Sequence, residues 1–388
     1  MSALSATDLA VDRELASISE SFSFLVDLTP TNVDEAREAF LTDLTSTPSF
    51  DYRHLEDFPE VIGARLRAVD LASVEDPTLA HLFAAKKKEL ELQLDMLAAR
   101  DTDDFLPLST ELYGAVTPAL EETAEEILTQ VPRKRSAGGR CLSAQAFSRK
   151  AKAELDFYRD LAGDLSVSIE IRDDTSGVMV SNGNLLIAES SSVASSRLPG
   201  LLAHEIGTHV LTYVNGTKQP LKLLAAGLAG YEETQEGLAL IAEAMVGGLT
   251  VARLRQIAAR VIAVRRMLKG SHFGETHSEL VERFGYSRGG AFTIVMRVYR
   301  SGGFTKDAVY LRGLQDLVKF VAEGQDLNRL WVGKLALIDL PLIDELRQRS
   351  VVFQPVVLPR FFDDPQVRAR LDAVASNQGL HTLIGAGT

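Results

Sequence analysis

Two histidines five positions apart constrain this chain more than any other feature. Residues 204–209 read His-Glu-Ile-Gly-Thr-His. An α-helix turns about 100° per residue, so this spacing places the two imidazoles about 140° apart, on different faces. A spacing of four, as in the metal-binding HExxH pattern, would place them on one face. Gly207 lies inside the interval, and a one-residue π-bulge there would restore the shared face. The sequence therefore predicts a departure from α geometry near Gly207.

The residues around the two histidines are typical of a buried helix. Apolar side chains recur at helical spacing, and the helix is predicted to begin after Gly200 and to end at Gly216. Polar side chains on such a helix are costly unless they are hydrogen-bonded or bind a metal ion. His204 and His209 are therefore candidate Zn²⁺ ligands, and Glu205 is a candidate base. The alternative is that both histidines are hydrogen-bonded residues of the core.

A catalytic zinc ion needs a third protein ligand and an open position. The segment Gln-Glu-Gly-Leu-Ala at 235–239 supplies Glu236, near the start of a second helix with apolar residues. Glu232 and Glu233 are rivals, because residues three and four positions before Glu236 share its helix face. We predict one zinc ion per chain, with Glu236 as the third ligand.

The composition is that of a globular protein with a full hydrophobic core. The 388 residues are 46% hydrophobic and 24% charged, which suits one large or two medium domains. The net charge of −12 argues against nucleic acid as a partner. The single cysteine, Cys141, excludes an internal disulfide. The N-terminus has no secretory pattern and no apolar run is long enough to span a membrane, so we expect a cytoplasmic protein with no membrane partner.

Helical periodicity dominates the chain, with one short interruption by strands. Before that interruption, helices are predicted at 33–40, 79–100, 118–130 and 142–161. The segment 165–171 alternates apolar and polar residues, as a half-buried strand does. Strands at 177–180 and 185–188 flank Asn182-Gly183, a strong hairpin signal. We expect a mainly α fold with a small antiparallel β-sheet (α+β) beside the histidine helix.

Domain organisation is less strongly marked than secondary structure. The segment 132–140 combines a proline, a cluster of basic residues and two glycines, and is the best linker candidate. We predict an N-terminal helical region at 1–140 and a catalytic domain at 141–388, or one continuous unit. A late extended segment is predicted at 351–358.

Several motifs spread along the chain resemble one protein family. His-Glu-Ile-Gly-Thr-His at 204–209 is followed by Gln-Glu-Gly-Leu-Ala at 235–239. Further matches are Leu-Tyr-Gly at 112–114, Ser-Gly-Val-Met-Val at 176–180, Gly-Gly-Phe-Thr-Lys-Asp at 302–307 and Tyr-Leu-Arg-Gly at 310–313. The chain resembles the QEGLA-motif proteins, whose bacterial members are labelled flavohaemoglobin expression-modulating. Their animal relatives are the microtubule-associated tyrosine carboxypeptidases.

This resemblance implies a gluzincin-like zinc metallopeptidase that removes a C-terminal residue. Carried over by position, it implies that His204, His209 and Glu236 bind zinc and that Glu205 is the general base. It thereby favours Glu236 over the two neighbouring glutamates. The implied partner is the C-terminus of a peptide or protein.

Strand addition is the peptide-binding mode expected beside the active helix of such an enzyme. The strand that precedes the helix makes Val178, Met179 and Val180 candidate substrate-binding residues. The alternative is an ordinary hairpin with no part in binding.

A carboxypeptidase must also bind the terminal carboxylate and stabilise an oxyanion. Arginine suits the carboxylate, and Arg300 and Arg312 are the candidates in a basic C-terminal segment. Tyr310 and Tyr231 are candidate donors to the oxyanion. The alternatives are a solvated basic face and tyrosines that only pack in the core.

Two other functions are compatible with the same residues. One is a regulatory or binding protein whose zinc site is structural or vestigial, and the other is a non-peptide amidase. The base and the predicted metal ligands are all present, which favours a hydrolase over a structural or vestigial site. Only a substrate screen separates the non-peptide amidase from the carboxypeptidase that the resemblance implies.

Overall fold

The computed structural model describes residues 4–55, 58–133, 140–163, 165–173, 175, 177–376 and 380–384. Most of the predicted linker at 132–140 therefore lies outside the described residues. No helix among the described residues is both long and apolar enough to cross a membrane.

The described residues are mainly helical with two small sheets, which confirms the predicted fold class. The helices are α1 (Ala6–Glu20), α2 (Phe24–Asp27), α3 (Val33–Thr42), α4 (Phe58–Arg67), α5 (Pro77–Ala98), α6 (Phe105–Tyr113), α7 (Pro118–Gln130), α8 (Ala144–Ala162), α9 (Leu198–His204), α10 (Leu211–Thr217), α11 (Leu223–Ala226), α12 (Tyr231–Met245), α13 (Val251–Leu268), α14 (Phe273–Glu282), α15 (Arg288–Tyr299), α16 (Val309–Ala322), α17 (Leu340–Gln348) and α18 (Pro365–Ala375). The strands are β1 (Cys141–Ser143), β2 (Ile169–Arg172), β3 (Val178–Ser181), β4 (Asn184–Ala188) and β5 (Ser192–Ala194).

One large cluster of buried apolar side chains runs through much of the chain. It includes Leu15 and Phe83 from the N-terminal helices together with Ile206 and Leu238 from the region of the two motifs. Helices before and after residue 140 therefore share a core. The division at 140 stays a prediction, because residues 134–139 lie outside the described part of the chain.

The predicted hairpin is present and precedes the histidine helix. β3 and β4 pair antiparallel, and Asn182 and Gly183 between them have φ angles of 46° and 78°. Both values lie in the left-handed region that a two-residue type I′ turn requires. β2 pairs with the other side of β4, in parallel, so β3 is an edge strand.

The first strand is shorter than the sequence pattern predicts. Only Ile169–Arg172 joins the sheet, whereas alternation predicted a strand at 165–171. Ser166 has a φ of 51°, which no β-strand accommodates, so the extended ladder begins after it.

Residues 351–358 pair with no described strand, and the extended segment predicted there stays a prediction. Two buried amides of α10 and the following loop hold this segment instead. Asn215 accepts hydrogen bonds from the backbone of Val356 and Val357, and Gln219 bonds both backbone groups of Phe353. These side-chain bonds satisfy the backbone without a neighbouring strand.

The helices α12 and α16 approach each other through two glycines. A Cβ added to Gly237 would lie 2.4 Å from the carbonyl carbon of Gly313, and one added to Gly313 would lie 2.1 Å from the oxygen of Glu233. Neither position has room for a methyl group. The glycine of the Gln-Glu-Gly-Leu-Ala segment therefore sets the position of the adjacent Glu236.

Replacing Gly237 with alanine is expected to destabilise the protein. Overpacking of this kind costs about 1–3 kcal/mol, which exceeds the gain in helix propensity of about 1 kcal/mol. Urea unfolding measures the change. Gly289→Ala is the matched control, because an added Cβ at that helical glycine would meet no described atom within 4 Å beyond its own helical turn. Equal stability of the two variants would contradict the close approach.

Candidate functional site

A π-helical segment joins α9 to α10 and carries the second histidine. It spans Glu205–Val210, and the backbone N–H of Leu211 donates to the carbonyl of Ile206, five residues earlier. The wider turn brings the imidazole rings of His204 and His209 to a centroid distance of 5.0 Å. The predicted departure from α geometry near Gly207 is confirmed.

Gly207 serves this turn through its size rather than through an unusual backbone angle. Its φ does not lie in the left-handed region. A Cβ at this position would lie 3.3 Å from the ring of Phe361. The fully buried Trp331 donates its indole N–H to the Gly207 carbonyl at 2.8 Å. Two aromatic side chains distant in sequence thus contact the residue at the middle of the motif.

Glu236 lies next to both histidines, as predicted. Its Oε2 is 3.7 Å from His204 Nε2 and 3.9 Å from His209 Nε2. This oxygen is buried and has no hydrogen-bond partner among the described residues. Zinc bonds of about 2.0–2.2 Å place tetrahedral ligand atoms about 3.3–3.6 Å apart. The three side chains therefore fit one zinc ion, which would also satisfy the orphaned oxygen.

Glu205 is a geometric rival to Glu236 as the third ligand. One ligand atom each from His204, Glu205 and His209 lie within 4.8 Å of one another. The two carboxyl groups differ in charge. Burial raises the pKa of Glu205 to about 7. Burial acts on Glu236 in the same direction, but Lys306 and the two histidines lower its pKa to about 2. The charged Glu236 suits a ligand, and Glu205 suits proton transfer.

Sequence reasoning missed Glu243, which orients the first histidine. Glu243 is fully buried, and its Oε1 lies 2.9 Å from His204 Nδ1. Burial opposes its charge, but Arg253, the hydrogen bond from His204 and Arg197 hold its pKa far below the usual range. An ionised carboxylate only accepts hydrogen bonds, so Nδ1 carries the proton and Nε2 faces the other ligands. Glu243 is two helical turns after Glu236, a spacing that could have revealed it.

Changing Glu243 to glutamine is expected to weaken zinc binding by about 10–100-fold. This is the usual effect of losing a residue that hydrogen-bonds to a metal-binding side chain. The amide keeps the shape but leaves the guanidinium of Arg197 without its carboxylate. Competition with a chromophoric chelator measures the affinity. The control is Glu121→Gln, which removes a partly exposed carboxylate paired with Arg265 and Lys269 on α13 and in the turn after it. Unchanged affinity in the Glu243 variant would contradict the orienting role.

Gln235 plays the corresponding part for the second histidine and was also missed. Its Oε1 lies 3.4 Å from His209 Nδ1 and accepts a hydrogen bond of 2.9 Å from Thr212. Burial lowers the pKa of His209 to about 4, and the neighbouring His204 adds to this effect. His209 is therefore neutral at physiological pH, the form in which imidazole binds metals.

The cluster opens into a cavity of about 220 Å³. Of the predicted residues, this cavity is lined by His204, Glu205, His209, Glu236, Val178, Met179, Val180, Tyr231, Arg300 and Tyr310. Arg312 does not line it. Its guanidinium instead bonds Glu233 and the carbonyl of Tyr113.

The two rival glutamates on α12 have cationic partners. Glu233 pairs with Arg312, and Glu232 lies 3.2 Å from Lys306. Lys306 also lies 3.6 Å from Glu236 Oε1, whereas the distances to the two histidines are those of Oε2. Only Glu236 among the three acids thus has an oxygen directed at both imidazoles.

These features define a class of protein: a helical fold in which a π-segment, a second helix and an edge strand surround a buried cluster of histidines and glutamates. The chain belongs to the microtubule-associated tyrosine carboxypeptidase family, whose model matches residues 38–378. This confirms the predicted relation to the tyrosine carboxypeptidases and supports carboxypeptidase-like activity. Membership of the QEGLA-motif branch stays a prediction.

Comparisons with individual proteins are less informative. No curated protein matches the chain. A crystal structure described as the "putative lipoprotein from Colwellia psychrerythraea" aligns with a TM-score of 0.45 and 12% identity, over 89% of this chain and 70% of that one.

Proposed function

We propose that this protein is a zinc carboxypeptidase that removes the C-terminal residue of a peptide or protein. The observation that carries the proposal is the convergence of His204, His209 and Glu236 beside Glu205, in the lining of a cavity that an edge strand also lines. Family membership supports the same reaction.

His204, His209 and Glu236 would hold the metal ion. Zn²⁺ bound there would supply a Lewis acid that polarises the scissile carbonyl and lowers the pKa of water to about 7. Glu205 takes a proton from the attacking water and transfers it to the leaving amine nitrogen as the C–N bond breaks. Its raised pKa, about 7, suits both accepting and returning a proton near neutral pH.

The edge strand β3 binds the substrate backbone in this proposal. One side of β3 pairs with β4, and no described strand pairs with the other side. Val178, Met179 and Val180 line the cavity on β3. An extended peptide can add to such an edge through main-chain hydrogen bonds.

Arg300 is the proposed partner of the terminal carboxylate. It is 7% exposed, lines the cavity and forms no ion pair with a described residue. One Nη donates to Thr29, and its Nε has no hydrogen-bond partner among the described residues. Burial, with nearby Arg297, lowers its pKa to about 10, so it stays charged at neutral pH. Arg297 itself is occupied by a bidentate pair with Asp307, at 2.7 Å for each bond.

Tyr310 is the proposed donor to the oxyanion. The Tyr310 phenol is one of the groups that lower the pKa of Glu236. Burial raises the pKa of Tyr310 itself, so it carries a proton under all physiological conditions. A phenol beside a metal ligand lies within reach of a carbonyl bound at the same place. Tyr231 also lines the cavity, but its ring lies near the ammonium groups of Lys86 and Lys334.

The test is mass spectrometry of peptides incubated with the zinc-loaded protein. The set contains a peptide that ends in tyrosine, the residue in the family's name, and peptides with other C-terminal residues, each as free acid and as amide. We expect the loss of one C-terminal residue from free acids only. Equal cleavage of the amides would contradict a carboxypeptidase. No cleavage at all, with unfolding on chelation of the metal, would support a structural zinc site.

A further inference from the structure

A cavity of about 270 Å³ lies apart from the histidine cavity, and no described residue lines both. It is lined by residues at the starts of α13 and α15 and by Arg197, just before α9. The charged side chains in its described lining are two arginines, Arg197 and Arg253, and no carboxylate lines it there. A cavity with this lining suits an anionic ligand.

The two arginines share one carboxylate, that of the buried Glu243. Its Oε2 lies 2.6 Å from an Nη of Arg197, and its Oε1 lies 3.4 Å from Nε of Arg253. The same Oε1 also lies 2.9 Å from His204 Nδ1. One negative charge therefore serves two guanidinium groups, which leaves a positive charge in excess beside the cavity.

Several hydrogen-bond donors around the cavity have no acceptor among the described residues. In Arg197, the hydrogen bonds to described residues come from one Nη alone. The buried Nε of Arg253 and the buried hydroxyl of Tyr286, which also lines the cavity, have no hydrogen-bond partner there. Burial raises the pKa of Tyr286 to about 12, and three further arginines oppose that shift: Arg255, Arg133 and Arg260. The surroundings of this hydroxyl are therefore positive as well.

Two long helices begin at the cavity and add to its positive potential. Thr250 caps the 18-residue α13, with Ala252 and Arg253 in the first turn, and Gly290 lies in the first turn of the 12-residue α15. The first turn of a helix carries partial positive charge and N–H groups without helical partners. Together with the arginines, these ends supply the main-chain and side-chain donors of an oxyanion site.

We propose that this cavity binds a free tetrahedral oxyanion, such as inorganic phosphate or sulfate, and that the bound anion strengthens the hydrogen bond from His204 to Glu243. An anion at Arg197 and Arg253 takes up part of the positive charge that Glu243 otherwise neutralises. The carboxylate then becomes a stronger acceptor for His204 Nδ1–H, which makes Nε2 a better metal ligand. The anion site is independent of the hydrolytic step, whereas its effect on His204 rests on the proposed zinc site.

Ala252 allows the anion site to be tested without changing either arginine. It lines the cavity and is exposed. Ala252→Glu adds a carboxylate that repels an oxyanion there, and an acidic residue in the first turn of a helix favours the fold. Ala252→Gln is the matched control, because it adds a side chain of the same size without the charge.

Sulfate binding is measured by equilibrium dialysis of the zinc-loaded protein against labelled sulfate, with chloride holding the ionic strength constant. We expect saturable binding of one sulfate ion per chain in the unchanged protein and in Ala252→Gln. The added negative charge of Ala252→Glu should weaken binding by at least about tenfold. Arg197→Gln should also weaken it. No saturable binding, or equal affinity in the two Ala252 variants, would overturn the anion site.

The effect on His204 is measured by chelator competition for zinc, with and without sulfate. Saturating sulfate should raise the affinity for zinc several-fold in the unchanged protein and in Ala252→Gln, but not in Ala252→Glu. Coupling between two sites is reciprocal, so removal of zinc should lower the affinity for sulfate by the same factor. Zinc affinity that is independent of sulfate would overturn the coupling.

The dialysis result also separates this inference from the proposed function. Saturable sulfate binding that Ala252→Glu abolishes, in a protein that cleaves no peptide, would refute the carboxypeptidase proposal and leave the anion site supported. Cleavage of peptides by a protein without saturable sulfate binding would do the reverse.

Discussion

Replacing Glu205 with glutamine is expected to lower kcat for release of the C-terminal residue by about 10²–10⁴-fold, the usual contribution of a general base. This corresponds to about 3–5 kcal/mol of transition-state stabilisation. Glutamine fills the same buried space but cannot accept the proton of the attacking water. Because Glu236 rather than Glu205 has an oxygen near both imidazoles, the variant should still bind one zinc ion per chain. Steady-state kinetics and zinc content by elemental analysis measure the two effects.

The matched control is Glu189→Gln, an exposed glutamate in the turn after β4 that does not line the cavity. It should retain full activity. Loss of zinc together with activity in Glu205→Gln would instead assign Glu205 as a ligand, the role that its distances to the histidines also permit.

Changing Glu236 to glutamine is expected to abolish zinc binding at concentrations that saturate the unchanged protein. Loss of a residue that only hydrogen-bonds to a metal ligand lowers the affinity for zinc by about 10–100-fold. Loss of an anionic ligand that binds the metal directly should lower it further. The amide also leaves the charge of Lys306 less well balanced, since this ammonium lies 3.6 Å from Glu236 Oε1. Chelator competition gives the affinity, and the visible spectrum of the cobalt-substituted protein reports the ligand set.

Glu233→Gln controls for this change with the same substitution on the same helix. Its carboxylate bonds Arg312, which does not line the cavity, so zinc affinity should be unaffected. Normal zinc binding in Glu236→Gln would refute the ligand assignment. Loss of zinc in Glu233→Gln alone would transfer the role to that residue.

Much of the helical fold could be predicted because local signals and the buried face agree. The helix Pro118–Gln130 begins and ends as predicted, and Thr117 caps it through a hydrogen bond to the N–H of Leu120. The helix predicted at 33–40 is present as α3, but the asparagine before it makes no side-chain cap and instead bonds residues 49 and 51. The strand predicted at 165–171 was too long, because apolar alternation gives no sign of the left-handed Ser166.

The candidate site could be predicted in part, according to how far apart its residues lie in sequence. His204, Glu205 and His209 share one short segment, and Glu236 follows on the next long helix. Lys334 and Trp331 are distant in sequence and carry no motif of their own. For the arginines, the basic segment predicted two candidates, and the structure brings Arg300 but not Arg312 to the cavity.

The sequence by itself determined that the two histidines could share one metal ion only if the helix departed from α geometry. That requirement follows from the number of residues per turn and is independent of the rest of the fold. Tertiary structure alone decided how the wider turn is stabilised, through the indole of Trp331 and the ring of Phe361. It also decided which cations in the cavity remain unpaired, because an ion pair depends on distances between segments that local sequence does not specify.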